Sequence, residues 1–210
     1  MVFRASLTIV LAVSGFSLVF GHGRMIDPAA RNAAWRFGFP TPVQYTDDEL
    51  NCGGFGTQWQ KNGGKCGTCG DPYDKKDPLY VYPGRYAKGI ITKTYKQGQV
   101  FTVQIKVTTN HDGYFVFKIG KLEKPPITEA GLSTRVYLAD GSDRFRIPKK
   151  SPAKVFEIKL KLPANLVCQH CVLRWWWRAG NSWGCDDEGC GMGHGPQETF
   201  TNCADVKIVE

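Results

Sequence analysis

Two eight-residue runs of strict alternation constrain the fold of this chain more than any other feature. Residues 100–107 (VFTVQIKV) and 155–162 (VFEIKLKL) place an apolar side chain at every second position. Successive side chains of a strand point to opposite faces, so each run has one apolar and one polar face as a strand and would mix them as a helix. Residues 114–119 and 171–178 (CVLRWWWR) are aromatic and β-branched runs too bulky for a surface loop, and residues 200–209 form another extended run. Pro125, Pro126, Asp140-Gly141, Pro148 and Pro163 punctuate these runs at turn positions. Short strands with regular turn signals and almost no helical period predict an all-β chain, an antiparallel β-sandwich.

The preceding segment has another texture. From His22 to about Pro83 it is rich in Gly, Pro, Asp, Asn and Cys, as in Asn51-Cys-Gly-Gly and Lys65-Cys-Gly-Thr-Cys-Gly-Asp. That is loop chemistry with a short helix or two. Long irregular stretches in compact proteins commonly carry function.

Residues 1–21 read as an export signal. Arg4 is followed by an apolar stretch too short and wrongly flanked for a membrane span. Val19 and Gly21 are small enough for the cleavage positions, which leaves residues 22–210 as a single domain. There is no second apolar stretch of membrane length, no lipid-anchor tail and no Asn-x-Ser/Thr sequon. The expected product is secreted, extracellular, soluble and monomeric, with no membrane partner. All eight cysteines follow the signal. An even number in an oxidising compartment implies disulfides, and eight allow about 105 pairings. Cys66 with Cys69, and Cys168 with Cys171, also have zinc-ligand spacing, which export argues against. The formal net charge is +8, but the lysines are scattered with no basic helix or arm, so a nucleic-acid partner is not expected.

Cleavage after Gly21 would make His22 the N-terminus, whereas a cut one residue away would leave it an ordinary side chain. A terminal histidine carries an α-amine, titrating near pH ~7.7–8.0, and an imidazole on one residue, and so can chelate a metal. The other histidines are His111, His170 and His194. His111, in Thr-Thr-Asn-His-Asp-Gly, ends a strong strand and stands where it can meet a terminus lying over the sheet edge. His170 is wedged between two cysteines and reads as structural. His194, in a glycine loop, is a fallback ligand. Glu198 and Phe200 alternate and so share a strand face, where Phe200 taken alone is a core aromatic.

These motifs together resemble the lytic polysaccharide monooxygenases, most of all the fifteenth auxiliary-activity family. The resemblance rests on the opening HGRMIDPAARNAAWRFGF, NCGG, KCGTCGD, the His of TTNHDGYF, LRWWWRAGNSWG, GPQETF and CADVKI, in order from His22 to Val206. It implies an immunoglobulin/fibronectin-III-like sandwich with long disulfide-pinned loops and short helices. It also implies one copper ion in a histidine brace, with His22 giving its amine and a ring nitrogen and His111 a third nitrogen. Three nitrogens with open positions suit Cu(II). Phe200 matches the axial position and cannot ligate. Glu198 matches the place of a Gln or Glu that hydrogen-bonds the oxygen co-substrate. An external reductant and O2 or H2O2 would serve as co-substrates for oxidation at C1 or C4 of a glycosidic linkage. Paired carboxylates of hydrolytic type are not required, and none stands out. The implied partner is an insoluble polysaccharide, chitin ahead of cellulose, stacked on Trp35, Tyr45, Trp59 and Tyr73. Competing classes are a non-catalytic chitin-binding or defence protein of the same fold, a disulfide-rich signalling or matrix module, and a zinc-ribbon nucleic-acid binder.

Overall fold

The alternating runs form the facing strands of one layer. The computed structural model describes residues 22–210, so the export-signal reading of residues 1–21 lies outside the described residues. In chain order the strands are β1 (His22–Asp27), β2 (Lys93–Lys96), β3 (Val100–Thr109), β4 (Tyr114–Lys121), β5 (Thr134–Leu138), β6 (Phe145–Arg146), β7 (Lys154–Lys161), β8 (Cys168–Arg178), β9 (Trp183–Asp186), β10 (Gly189–Met192) and β11 (Thr199–Val209). The main sheet runs β1-β3-β7-β5-β4-β8-β11-β2, with β6 beside β4, and β9 and β10 form a separate hairpin. Because β5 pairs with β7 on one side and β4 on the other, the sheet curls there into two layers, a β-sandwich.

The core follows from the alternation. Phe101, Val103 and Ile105 face Leu160, Ile158 and Phe156 across the β3–β7 ladder, and all six are buried. The opposite layer contributes Phe115, Phe117, Leu173, Trp175, Trp177 and Phe200 to the same core. Fully burying side chains of this size contributes roughly 1.5–3 kcal/mol each. A charge in place of Val103, which is fully buried, would break this layer.

β8 and β11 are buried on both faces. Their outer face is covered by the irregular segment, through Leu50, Cys69, Tyr80 and Tyr86 packed with Val172 and Cys203. Polar and covalent ties hold that cover down. Arg31 donates to both carboxylate oxygens of Asp205, at 2.7 and 2.5 Å, and to the Tyr80 carbonyl at 2.7 Å. His170 Nε2 lies 2.7 Å from the same carboxylate. Burial alone would raise the Asp205 carboxyl, but the hydrogen bonds from Arg31 and His170 outweigh it and hold the group below its ordinary range.

The cysteines form Cys52–Cys66, Cys69–Cys203, Cys168–Cys171 and Cys185–Cys190, with none free. The first zinc-spaced pair is therefore split between two disulfides, and the second closes on itself.

Three elements depart from the sequence reading. β1 lies inside the stretch read as loop, a short 3-10 helix at Ala34–Phe37 and a π-helical turn at Gly56–Lys61 being the helices there. β2 runs parallel to β11, although the rest of the main sheet is antiparallel. The glycine loop around Cys190 is one arm of the β9–β10 hairpin, whose Gly and Cys residues hide any alternation.

Candidate metal centre

The register of β1 against β3 brings the two key histidines to one end of the sandwich. His22 is paired with Thr109, and the chain leaves β3 there and reaches His111 two residues later. His22 is anchored by the backbone around it. The Gly23 N–H donates to the Asp48 carbonyl at 2.8 Å, and the Thr108 hydroxyl bonds Asp48 Oδ2 at 2.8 Å and the His22 carbonyl at 3.3 Å.

The His111 loop is held as firmly. The Gly180 N–H donates to the His111 carbonyl at 2.8 Å, and the Trp177 indole N–H donates to the Asp112 carbonyl at 2.7 Å. Gly113 closes the turn at φ 84°, and a Cβ there would stand 2.0 Å from the Arg178 carbonyl oxygen, so only glycine fits. These contacts fix the imidazole in a dry place, 4% exposed and edge-on to Trp177 and Phe200 at centroid distances of 6.4 and 6.5 Å. Neither ring nitrogen of His111 makes a hydrogen bond. Glu198 Oε2 stands 3.3 Å from Nδ1 but is not aligned as a hydrogen bond.

Leaving a buried polar group unsatisfied costs about 1–3 kcal/mol. A buried imidazole with lone-pair capacity and no protein acceptor or donor is what a metal ligand requires, so the residues fit a metal bound by nitrogen. Among the described residues there is no cluster of three or more His, Cys, Asp or Glu side chains placed to hold an ion. A brace of two histidines and one amine does not need one.

Glu198 precedes β11 and reaches the same place. Its other oxygen accepts from Asn51 Nδ2 at 3.3 Å, which ties the NCGG loop to the centre. Gln197 points the other way and is fully buried. Its oxygen accepts from the Ser182 N–H, and its nitrogen donates to the Ser182 and His194 carbonyls. Phe200 is fully buried. His170 is engaged with Asp205. His194 lies just past β10, where with the Gly195 N–H it holds the Asp186 carboxyl of β9 down to about 2.

The four aromatic candidates divide. Tyr45 is 81% exposed and Tyr73 is also exposed, while Trp35 packs edge-on under Tyr45. Trp59 is an anchor, its indole N–H donating to the Gln197 carbonyl at 2.8 Å while its ring lies over Gly64. Sequence reasoning missed Trp183, which is 71% exposed on β9 opposite the exposed Met192. Its neighbour Ser182 exchanges hydrogen bonds with Gln197, so the hairpin is rooted beside Glu198. An indole in NSWG carries no signal separating an exposed ring from a packed one.

Residues 22–206 match the model of a family described as lytic polysaccharide mono-oxygenase, cellulose-degrading. The sandwich with this histidine-bearing end is thus that of an oxidoreductase, and the chain belongs to the lytic polysaccharide mono-oxygenase family. It is similar to the lytic polysaccharide monooxygenase AA15 from Thermobia domestica in the Cu(I) state, at 40% identity and a TM-score of 0.83 over 89% of this chain and 98% of that one. LPMO10B from Micromonospora aurantiaca is more distant, at 17% identity and a TM-score of 0.47 over 89% and 99% of the two chains. No curated protein matches the chain.

Proposed function

We propose that the chain is a secreted, monomeric, copper-dependent monooxygenase that cleaves insoluble polysaccharide by oxidation, with chitin as its substrate. In this reading residues 1–21 are removed on export and residues 22–210 form one catalytic domain. The new terminus exposes the amine of His22, which holds one copper ion together with the His22 and His111 rings. The observation that carries the reading is the buried His111 imidazole without a hydrogen bond, at the sheet end where β1 delivers His22.

A bound copper ion supplies one-electron redox chemistry with an external reductant and O2 or H2O2. The protein's own residues supply the setting. The Gly180 and Trp177 hydrogen bonds lock the His111 loop, so little reorganises when a ligand arrives. Phe200 walls the interior side with a ring that cannot ligate and keeps water out. Glu198, oriented by Asn51, offers a carboxylate that can accept or return a proton to an oxygen co-substrate. Tyr45, Tyr73 and Trp183 present exposed rings to sugar faces. With the oxygen co-substrate and reductant, a C–H bond at C1 or C4 is replaced by C–OH. That carbon then becomes a carbonyl as its glycosidic C–O bond breaks, and the hydroxyl proton passes to the departing sugar oxygen.

The test is mass spectrometry of soluble products from β-chitin and from cellulose, with copper and ascorbate, using protein that begins at His22. Oxidised chito-oligosaccharides are expected, and the position of the extra oxygen distinguishes C1 from C4. Only hydrolytic products, or none from either polymer, would overturn the proposal.

A further inference from the structure

The acidic triplet Asp47-Asp48-Glu49 meets the end of β1 at three successive levels. Asp47 is fully buried and pairs with Arg24 at 3.0 Å and Arg36 at 2.5 Å. Asp48 accepts the Gly23 N–H through its carbonyl and the Thr108 hydroxyl through its side chain. Glu49, the last of the three, places Oε1 3.4 Å from Nε2 of His22. Asp47 and Asp48 thus fix the strand and Glu49 faces the ring.

As a contribution to stability the Glu49 contact is worth little, because the Glu49 side chain is 51% exposed and solvent screens such pairs. Its position matters for another reason. When an amine and a ring nitrogen of one histidine bind one ion, bond connectivity selects Nδ1, which closes a six-membered ring, while Nε2 points away. A neutral imidazole carries one N–H, so a lone pair on Nδ1 requires the proton on Nε2. Nε2 is the nitrogen that Glu49 meets.

Resting on the copper reading above, we infer that Glu49 is a positioning residue for His22. Its carboxylate, at ion-pair distance from Nε2, is placed to accept the Nε2–H, to hold the ring in the plane that presents Nδ1, and to strengthen the ring as a donor through its negative charge. Removing that charge disfavours Cu(II) relative to Cu(I).

The experiment measures Cu(II) affinity by titration calorimetry, the Cu(II) electron paramagnetic resonance spectrum and the reduction potential. It compares protein beginning at His22 with its Glu49→Ala and Glu49→Gln variants, and uses Glu157→Ala on β7 as a remote exposed control. Glu49→Ala is expected to weaken Cu(II) binding about tenfold, the lower end for loss of a carboxylate behind a ligating histidine. It should also raise the potential and alter the spectrum, with the melting temperature unchanged. Glu49→Gln keeps an acceptor oxygen, so it should restore the spectrum while the potential stays raised. If the unsubstituted protein binds Cu(II) and Glu49→Ala matches it in affinity and spectrum, the Glu49 role is wrong and the copper centre stands. If the unsubstituted protein does not bind Cu(II), the copper reading falls and the Glu49 role falls with it.

Discussion

Glu198 stands 3.3 Å from the His111 ring without forming a hydrogen bond to it, and Asn51 holds the other end of its carboxylate. A carboxylate held close to a ring but off its hydrogen-bonding line is available to a third group. Its neighbour Gln197 is saturated by backbone and faces the opposite way. The two residues therefore predict different failures.

Glu198→Ala should leave copper bound and lower activity by about 10–100-fold. Gln197→Ala should act on stability instead, since it removes three buried hydrogen bonds. At ~0.5–1.5 kcal/mol each, that is a drop of several degrees in melting temperature. Calorimetry beside a chitin-oxidation assay separates the two, and an inactive but fully stable Gln197→Ala would reverse the assignment.

His111→Ala should abolish tight copper binding with the fold retained, because the ring is held through its backbone and neighbours. His194→Ala should leave copper affinity unchanged, since that ring is occupied by Asp186 on the hairpin. His170→Ala should also bind copper normally but melt lower, because it strips one of two partners from buried Asp205. Loss of copper from the His194 variant would relocate the centre.

Trp183→Ala should weaken adsorption to β-chitin without touching copper or stability, since the ring is exposed. Trp59→Ala should instead cost stability, as its indole anchors residues 56–61 to Gln197. Pull-down isotherms on the polymer, read against thermal melts, check both.

Acid should loosen the cover over β8 and β11. An unfolded Asp titrates near 3.9, and folded Asp205 lies below its ordinary range, so folding favours the ionised form. That gain is complete above about pH 5 and drains as the pH falls through 4 and below. Asp186, held near 2 by His194 and the Gly195 N–H, is exposed, so solvent screening keeps its share of the same limb small. Melting temperature should fall steadily between about pH 5 and 2. Asp205→Asn should melt lower at pH 6, where Arg31 is left without its anion, at a cost of about 3–5 kcal/mol, and show a flatter acid limb. An equally steep limb in that variant would assign the loss to other carboxylates.

Where burial follows strand alternation, the sequence was readable: β3 and β7 are visible because each has one dry and one wet face. β1 was hidden because Arg24 is buried in it, made tolerable by Asp47 and Asp48, and a charge in a dry position masks the period. β11 shows little alternation because both its faces are covered. His111 could be singled out from its place at a strand end. Asn51 could not, because its partner Glu198 lies 147 residues away. Glu49 was invisible for a similar reason, since its role depends on how a loop crosses the start of β1. The aromatic candidates show the same limit, as exposure is decided by tertiary packing that composition does not encode.

The place of β11 governs how the protein must be made. This strand lies between β8 and β2, follows directly on Glu198, carries Phe200, and supplies the Asn202 side chain that accepts the Met25 N–H at 2.9 Å. Its Cys203 closes the longest disulfide, to Cys69 across 134 residues. Of the strands described, it is also the last to leave the ribosome. Until it arrives, the edge of β8 lies open, Trp175 and Trp177 lack part of their cover, and Cys69 waits as a thiol. Such a chain cannot settle segment by segment during synthesis, and its uncovered aromatics call for shelter from aggregation. The long disulfide can close only once β11 is present, and Glu198 and Phe200 reach their places with the same strand.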